Sequence, residues 1–168
     1  MCGITIRRAT AADVDGYLDL REAVAEERIW IASEPPVTDR DEAGRRIRES
    51  LHLESRLVLV ADAVGDIVGS LSADEVRGRV VLGMMVAREW RSRGIGGKLL
   101  AECLAWAKTR GAHKLSLEVW PHNTAAIALY KRHGFAIEGR LRRHYRRQNG
   151  ELWDALIMGR TEWSSLSS

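Results

Sequence analysis

Cysteine is scarce in this sequence. Cys2 and Cys103 are the only two among 168 residues, and no C-x-x-C pair or nearby histidine spacing marks a zinc site or a disulfide framework. A reducing, cytoplasmic setting is the expectation. Long apolar runs are missing as well: none approaches the roughly 18 residues a membrane-spanning helix requires. The opening Met1-Cys2-Gly3-Ile4-Thr5-Ile6-Arg7-Arg8 lacks the apolar segment of a secretory leader, so no membrane partner is expected. Proline occurs three times, and no repeat, low-complexity segment or interdomain linker interrupts the chain. His52, His113, His122, His133 and His144 show no metal-ligand spacing, and no Gly-x-Ser-x-Gly elbow accompanies them. No metal is expected, and most of these histidines read as surface residues.

What is present is the composition of an ordinary globular domain, 45% hydrophobic and 29% charged. A chain of this length buries about 70% of the surface it exposes when unfolded, so residues 1–168 read as one domain around one core. The net charge of +3 is small and the arginines are scattered, which suits a polyphosphate-bearing small ligand as well as a polyanion. The densest basic cluster, Arg140 to Arg147, carries an aromatic and so hints at nucleic acid. It reads better as a solvated strand face, and no nucleic-acid partner is expected.

Periodicity places the elements. Ile4 to Arg7 alternates as a strand, and Thr10-Ala11-Ala12-Asp13 opens a helix whose apolar stripe runs from Val14 to Ile29. Ser33-Glu34-Pro35-Pro36 is a loop. A second helix spans Asp39 to Leu53, capped by Thr38 or Asp39. Leu57 to Ala61 and Ile67 to Leu71 form a hairpin about Gly65-Asp66. Arg79 to Val86 is a buried strand at the centre of the sheet. Gly97 to Arg110 is a helix stopped by Gly111. Leu115 to Trp120 is a strand, Thr124 to Arg132 a helix capped by Asn123, and Phe135 to Ile137 extended. A last hairpin, Arg142 to Arg147 with Leu152 to Met158, turns at Asn149-Gly150.

The segment Arg91-Ser92-Arg93-Gly94-Ile95-Gly96-Gly97-Lys98 lies between a strand and a helix. Glycines allow close backbone approach, and amides at a helix N-terminus attract phosphate oxygens. A nucleoside-triphosphate loop would need Ser or Thr where Leu99 stands, and a dinucleotide fingerprint would need a third glycine later in the helix. A pyrophosphate cradle remains, beside the plainer reading of a tight strand-to-helix turn.

The spacing Arg91-x-x-Gly94-x-Gly96, followed by Asn123 to Phe135 with Tyr130 and Gly134 inside it, resembles two ordered motifs of the GNAT superfamily of N-acetyltransferases. Arg142 to Tyr145 and Asp154 to Met158 resemble the closing strands of its amino-acid and ribosomal-protein acetyltransferases. That resemblance covers about Val80 to Met158, and residues 1–75 match only loosely. It implies a single-domain α/β (α+β) fold with a curved mixed sheet, flanked by helices and splayed between its fourth and fifth strands. It also implies acetyl-CoA as co-substrate, cofactor motifs within 80–135 and acceptor-side elements at about 14–55 and 140–160.

By the same resemblance, the backbone of Met85, Val86 and Ala87 pairs with the pantetheine arm. Amides of Arg93, Gly94, Ile95, Gly96, Gly97 and Lys98 hold the pyrophosphate. Arg91 stands where relatives often have Gln, and its charge suits a phosphate. Asn123 either touches pantetheine or caps its helix. Tyr130 protonates the leaving thiolate, unless it is a core tyrosine. Glu118, opposite Leu117 and Val119 on its strand, acts on the amine through water, unless it is a solvated carboxylate. A main-chain amide near the end of the fourth strand stabilises the oxyanion. Trp30, Ile31 and Trp120 are acceptor-wall candidates.

The expected activity is direct acetyl transfer to a primary amine, with a free amino acid or small amine as acceptor. A protein N-terminal acetyltransferase and a catalytically silent CoA-binding sensor are the alternatives. Oligomeric state is left open, a homodimer included.

Overall fold

The computed structural model describes residues 3–36 and 39–161; Cys2, Thr38 and Trp163 lie outside them. In chain order the elements are β1 (Ile4–Arg8), α1 (Val14–Glu26), α2 (Arg40–Ser50), β2 (Arg56–Ala63), β3 (Asp66–Val76), β4 (Arg79–Val86), α3 (Ile95–Thr109), β5 (Lys114–Val119), α4 (Thr124–Arg132), β6 (Ala136–Arg146) and β7 (Leu152–Arg160), with single 3-10 turns at Ala11–Asp13 and Arg88–Trp90.

Seven strands form one sheet in the order β1-β2-β3-β4-β5-β7-β6. All neighbours are antiparallel except β4 and β5, which run parallel. Their pairing covers only Arg79–Val81 against Lys114–Ser116, while β4 stays paired with β3 through Val86 and β5 with β7 through Val119. The sheet therefore opens between β4 and β5, and main-chain groups of β4 beyond Val81 face that gap without a β5 partner.

The core lies where α3 covers β2, β3 and β4. Leu99, Leu100, Cys103 and Ala107 recur at helical spacing on one face of α3 and are completely buried against Leu71, Val80 and Leu115. Gly69 on β3 makes room for this contact, since a Cβ there would come 3.0 Å from Ile95 Cγ2. At the other edge Arg7 is clamped between two carboxylates, donating to Asp13 Oδ2 at 2.7 Å and to Asp62 Oδ2 at 2.9 Å. Asp13 also accepts from the Thr10 amide at 2.7 Å, closing the capping box ahead of α1.

Several elements differ from their sequence patterns. Helix α1 ends at Glu26, and α3 begins at Ile95, which puts Gly96 and Gly97 inside its first turn. Strand β3 continues to Val76, where Asp74 accepts from Arg56 across the strand at 2.8 Å. Strand β6 is one ladder from Ala136 to Arg146, interrupted by register shifts. Strand β4 is fully buried on one face only: Val80 and Leu82 are enclosed, while Val81 is 40% exposed. Asp39 caps α2, its side chain accepting from the Glu42 amide at 3.0 Å.

Candidate active site

The glycine segment folds as a turn that hands the chain from β4 to α3. Gly94 takes a left-handed conformation at φ +79° as the helix N-cap, and no side chain caps the first turn. The first intrahelical bond runs from the Lys98 amide to the Gly94 carbonyl at 3.2 Å, so the preceding amides point out of the helix end. A Cβ on Gly96 would lie 2.9 Å from Leu129 Cδ2, so a larger residue there would have to displace the Leu129 side chain. Ile95 is buried as the anchor of the turn. Arg93 lies over the Trp90 ring at 4.9 Å, and Lys98 is exposed. This end of α3 fits a pyrophosphate.

The opening between β4 and β5 is a cleft of about 790 Å³ that Gly94 to Gly97 line together with Met84, Met85 and Val86. An extended ligand arm can add to the unpaired edge of β4 as a further strand would. Ala87 lies just outside the lining, with its amide given to the Val68 carbonyl at 2.9 Å. Arg91 lines the cleft, but its guanidinium is occupied. It forms a forked pair with Glu27, at 2.8 Å and 2.6 Å, and donates from Nε to the Val86 carbonyl at 3.0 Å. The Arg91 guanidinium beside Glu27 holds that carboxyl below its ordinary range. Arg91 thus ties the end of β4 to the end of α1.

Tyr130 and Glu118 face the same cleft. Tyr130 is 5% exposed, packs on Phe135 at 5.7 Å and belongs to the core, yet among the described residues its hydroxyl has no hydrogen-bond partner. Burial pushes its pKa above the ordinary tyrosine value. Leu115, Leu117 and Val119 are buried, which turns Glu118 to the open side of β5. There Glu118 Oε2 accepts from the Tyr145 hydroxyl at 2.5 Å. Burial and this bond raise the Tyr145 pKa to about 12. Asn123 caps α4, accepting from the Ala126 amide at 3.2 Å, while also lining the cleft.

Trp30, Ile31 and Trp120 all line the cleft, and the structure shows what holds them. Trp120 meets Tyr145 edge-on at 4.9 Å and Trp153 at 5.2 Å, and stacks near His122 at 6.5 Å. Arg147 lies 4.5 Å from the Trp153 ring and 5.6 Å from that of Trp120. It donates to the carbonyls of Arg28, Ile31 and Ala32 at 3.0, 3.4 and 3.2 Å. Arg147 is 4% exposed, which corrects the reading of Arg140 to Arg147 as a wholly solvated face: the chain leaves β6 at Arg146, and the next side chain turns inward. His122 Nε2 bonds the Ile29 carbonyl at 2.6 Å. The loop after α1 is thereby fastened to the last hairpin. Arg147, Tyr145, His122 and Trp153 escaped sequence reasoning as parts of the site. The expected acceptor-side span of about 140–160 takes in Tyr145, Arg147 and Trp153 without singling them out, and no signal marks His122.

Among the described residues, no cluster of three or more His, Cys, Asp or Glu side chains is gathered that could hold a metal ion, and no helix is long and apolar enough to cross a membrane.

A mixed sheet parted beside a glycine-capped helix, with a phenol and a carboxylate in the gap, defines an acyl-transferring α/β enzyme that grips a pyrophosphate-bearing donor. Residues 20–135 match the Acetyltransferase (GNAT) family. The chain is 30% identical to an L-methionine sulfoximine/L-methionine sulfone acetyltransferase of Pseudomonas aeruginosa, over 82% of this chain and 83% of that one. It is 35% identical to the L-amino acid N-acetyltransferase AaaT of Escherichia coli, over 62% and 67%. The crystal structure of a ribosomal-protein-alanine N-acetyltransferase from Brucella melitensis superposes with a TM-score of 0.84 at 29% identity, covering 94% of this chain and 99% of that chain. This protein belongs to the GNAT family, and it is an acetyl-CoA-dependent N-acetyltransferase.

Proposed function

We propose that the protein acetylates the primary amine of a free amino acid or similarly small amine by direct attack, and that it works in the cytoplasm. The observation that carries this reading is that one cleft is lined at once by the glycine cradle, by Tyr130 and Glu118, and by Trp30 and Trp120. Acetyl-CoA supplies a thioester whose C–S bond breaks, its electron pair going to sulfur, as the amine lone pair forms the C–N bond. In this reading the amides from Arg93 to Gly97 hold the pyrophosphate and Met85 and Val86 present the β4 edge to the pantetheine arm, while the Lys98 and Ala87 amides are already given to the Gly94 and Val68 carbonyls. Arg91 keeps Val86 and α1 in place.

Glu118 attracts the ammonium and takes its proton, directly or through water, since an alkylammonium is almost wholly protonated near neutral pH. A main-chain amide near Val86 stabilises the charge that develops on the carbonyl oxygen. Tyr130 donates a hydrogen bond to the departing sulfur. Because burial raises its pKa, a phenolate left behind is disfavoured, and the proton it delivers is replaced from the amine side or from water. Direct attack is supported by the absence of cysteine and histidine from the cleft lining among the described residues. Cys103 is buried away from it, its thiol pushed up to about 12, and a thiol so poorly ionised is a weak nucleophile.

The Brucella neighbour keeps a protein N-terminus in view as an alternative acceptor. The loop after α1 is pinned by Arg147 and His122, and the likeness to amino-acid acetyltransferases supports the smaller acceptor. The test is a thiol-release screen with acetyl-CoA against amino acids, polyamines, aminoglycosides and N-terminal peptides. Turnover confined to peptides would replace the small-amine reading with the ribosomal-protein type.

A further inference from the structure

Arg21 carries a charge that the protein does not neutralise. It stands on α1 between Tyr17 and Val24, four residues after one and three before the other, and all three side chains line the cleft. Its guanidinium donates only to a neutral oxygen, Ser33 Oγ, from Nε at 3.3 Å and from Nη2 at 3.0 Å. Among the described residues it enters no ion pair, and Nη1 has no acceptor. Arg91, also on the cleft, is spent on Glu27. Glu118 is the one carboxylate among the described lining residues.

Arg21 and Glu118 line the same cleft, and a series of contacts ties the segments that carry them together. Ser33 follows Ile31 and Ala32, whose carbonyls hold Arg147. Arg147 lies against Trp120, Trp120 against Tyr145, and Tyr145 donates to Glu118. The cradle for the pyrophosphate is made elsewhere, by the α3 turn. A partly desolvated guanidinium with free donors and no counter-ion is a ready receptor for a planar anion, which it binds through two parallel N–H bonds.

We propose that Arg21 binds the carboxylate of the acceptor, so that the enzyme selects zwitterionic α-amino acids over simple alkylamines. This rests on the small-amine reading above and names its substrate class. Glu118 meets the ammonium and Arg21 the carboxylate, opposite charges for the two ends of one small molecule, while Trp30 and Trp120 face its side chain.

The test compares each amino acid with the amine its decarboxylation leaves: leucine with 3-methylbutylamine, and methionine with 3-(methylthio)propylamine. Wild-type enzyme is expected to favour the amino acid by tenfold or more in kcat/KM. Arg21→Gln should lower that ratio by about 10- to 100-fold, the value of a hydrogen-bonded charge, chiefly through KM for the amino acid, with the KM for acetyl-CoA unchanged. Arg21→Lys, which keeps the charge without the fork, should restore part of the ratio, and it carries the test if Arg21→Gln loses acetyl-CoA binding. An unchanged ratio in both variants overturns the role of Arg21, as does a wild type that prefers the alkylamines; either result leaves the small-amine reading standing. If wild type turns over no member of either pair but does acetylate peptides, the small-amine reading itself has failed and the Arg21 assignment with it.

Discussion

The Tyr145 hydroxyl donates to Glu118 Oε2 at 2.5 Å, joining the last hairpin to the strand that bends away from β4. With its pKa near 12, Tyr145 stays a donor throughout the working pH range, so it holds one Glu118 oxygen and leaves the other for the amine. Tyr145→Phe is expected to lower kcat/KM for the acceptor by about tenfold or more, since a hydrogen bond to a charged group is worth roughly 1.5–3 kcal/mol. Acetyl-CoA affinity should not change. Steady-state kinetics beside calorimetric titration of acetyl-CoA separates the two effects.

Tyr130→Phe removes a hydroxyl that bonds to no described residue, so the fold should survive it. The turnover number is expected to fall by about 10²-fold, as loss of an acid or hydrogen-bond donor to the leaving group does, while acetyl-CoA affinity stays the same. A variant with wild-type turnover returns Tyr130 to a packing role beside Phe135.

The cradle depends on two glycines for different reasons. At Gly94 the left-handed φ of +79° costs a residue with a Cβ about 1–2 kcal/mol, and at Gly96 the added atom meets Leu129 at 2.9 Å. Gly94→Val and Gly96→Val are each expected to weaken acetyl-CoA binding at least tenfold, by straining the turn in the first case and by displacing Leu129, which lines the cleft, in the second. Equal calorimetric affinities for wild type and both variants would remove the pyrophosphate from this turn.

The glycine-lined half of the cleft was legible because its determinants are local. Glycine spacing at Gly94 and Gly96, the strand before it and the amphipathic stripe of α3 can all be read within some thirty residues. Alternation alone turned Glu118 away from Leu117 and Val119. The acceptor half is made by contacts between distant parts of the chain: Arg147 with Arg28 to Ala32, His122 with Ile29, Arg21 with Ser33. No periodicity carries these. The second half of β3 was obscured because Asp74 and Glu75 are polar where a strand pattern wants apolar residues, and Asp74 is held there by Arg56. The bulges in β6 shift the alternation that would have revealed one strand from Ala136 to Arg146.

Asp13 links stability to pH. Its hydrogen bonds from Arg7, the largest cause, and from Thr10 lower its pKa from 3.8 to about 2, and the residue is 8% exposed. A carboxyl depressed in the folded state stabilises the protein above its unfolded pKa, and that contribution is lost as pH falls from about 4 toward 2. At 1.36 kcal/mol per pKa unit the effect is about 2 kcal/mol. Asp13→Asn should therefore lower stability at pH 7 by about 2 kcal/mol and flatten the decline between pH 4 and 2. Urea unfolding across that range reads both.

The most direct measurement of the central claim follows free CoA and N-acetylated product together, by thiol titration and mass spectrometry, with wild type and Glu118→Gln, on an amino-acid acceptor between pH 6 and 9. The account predicts one N-acetyl amino acid for each CoA released by wild type. It also predicts a Glu118→Gln variant most impaired near neutral pH, which recovers part of its rate as the amine loses its proton without help. Acetyl-CoA binding with no thiol released by any amine, in wild type and variant alike, would contradict it and leave a protein that senses the cofactor without using it.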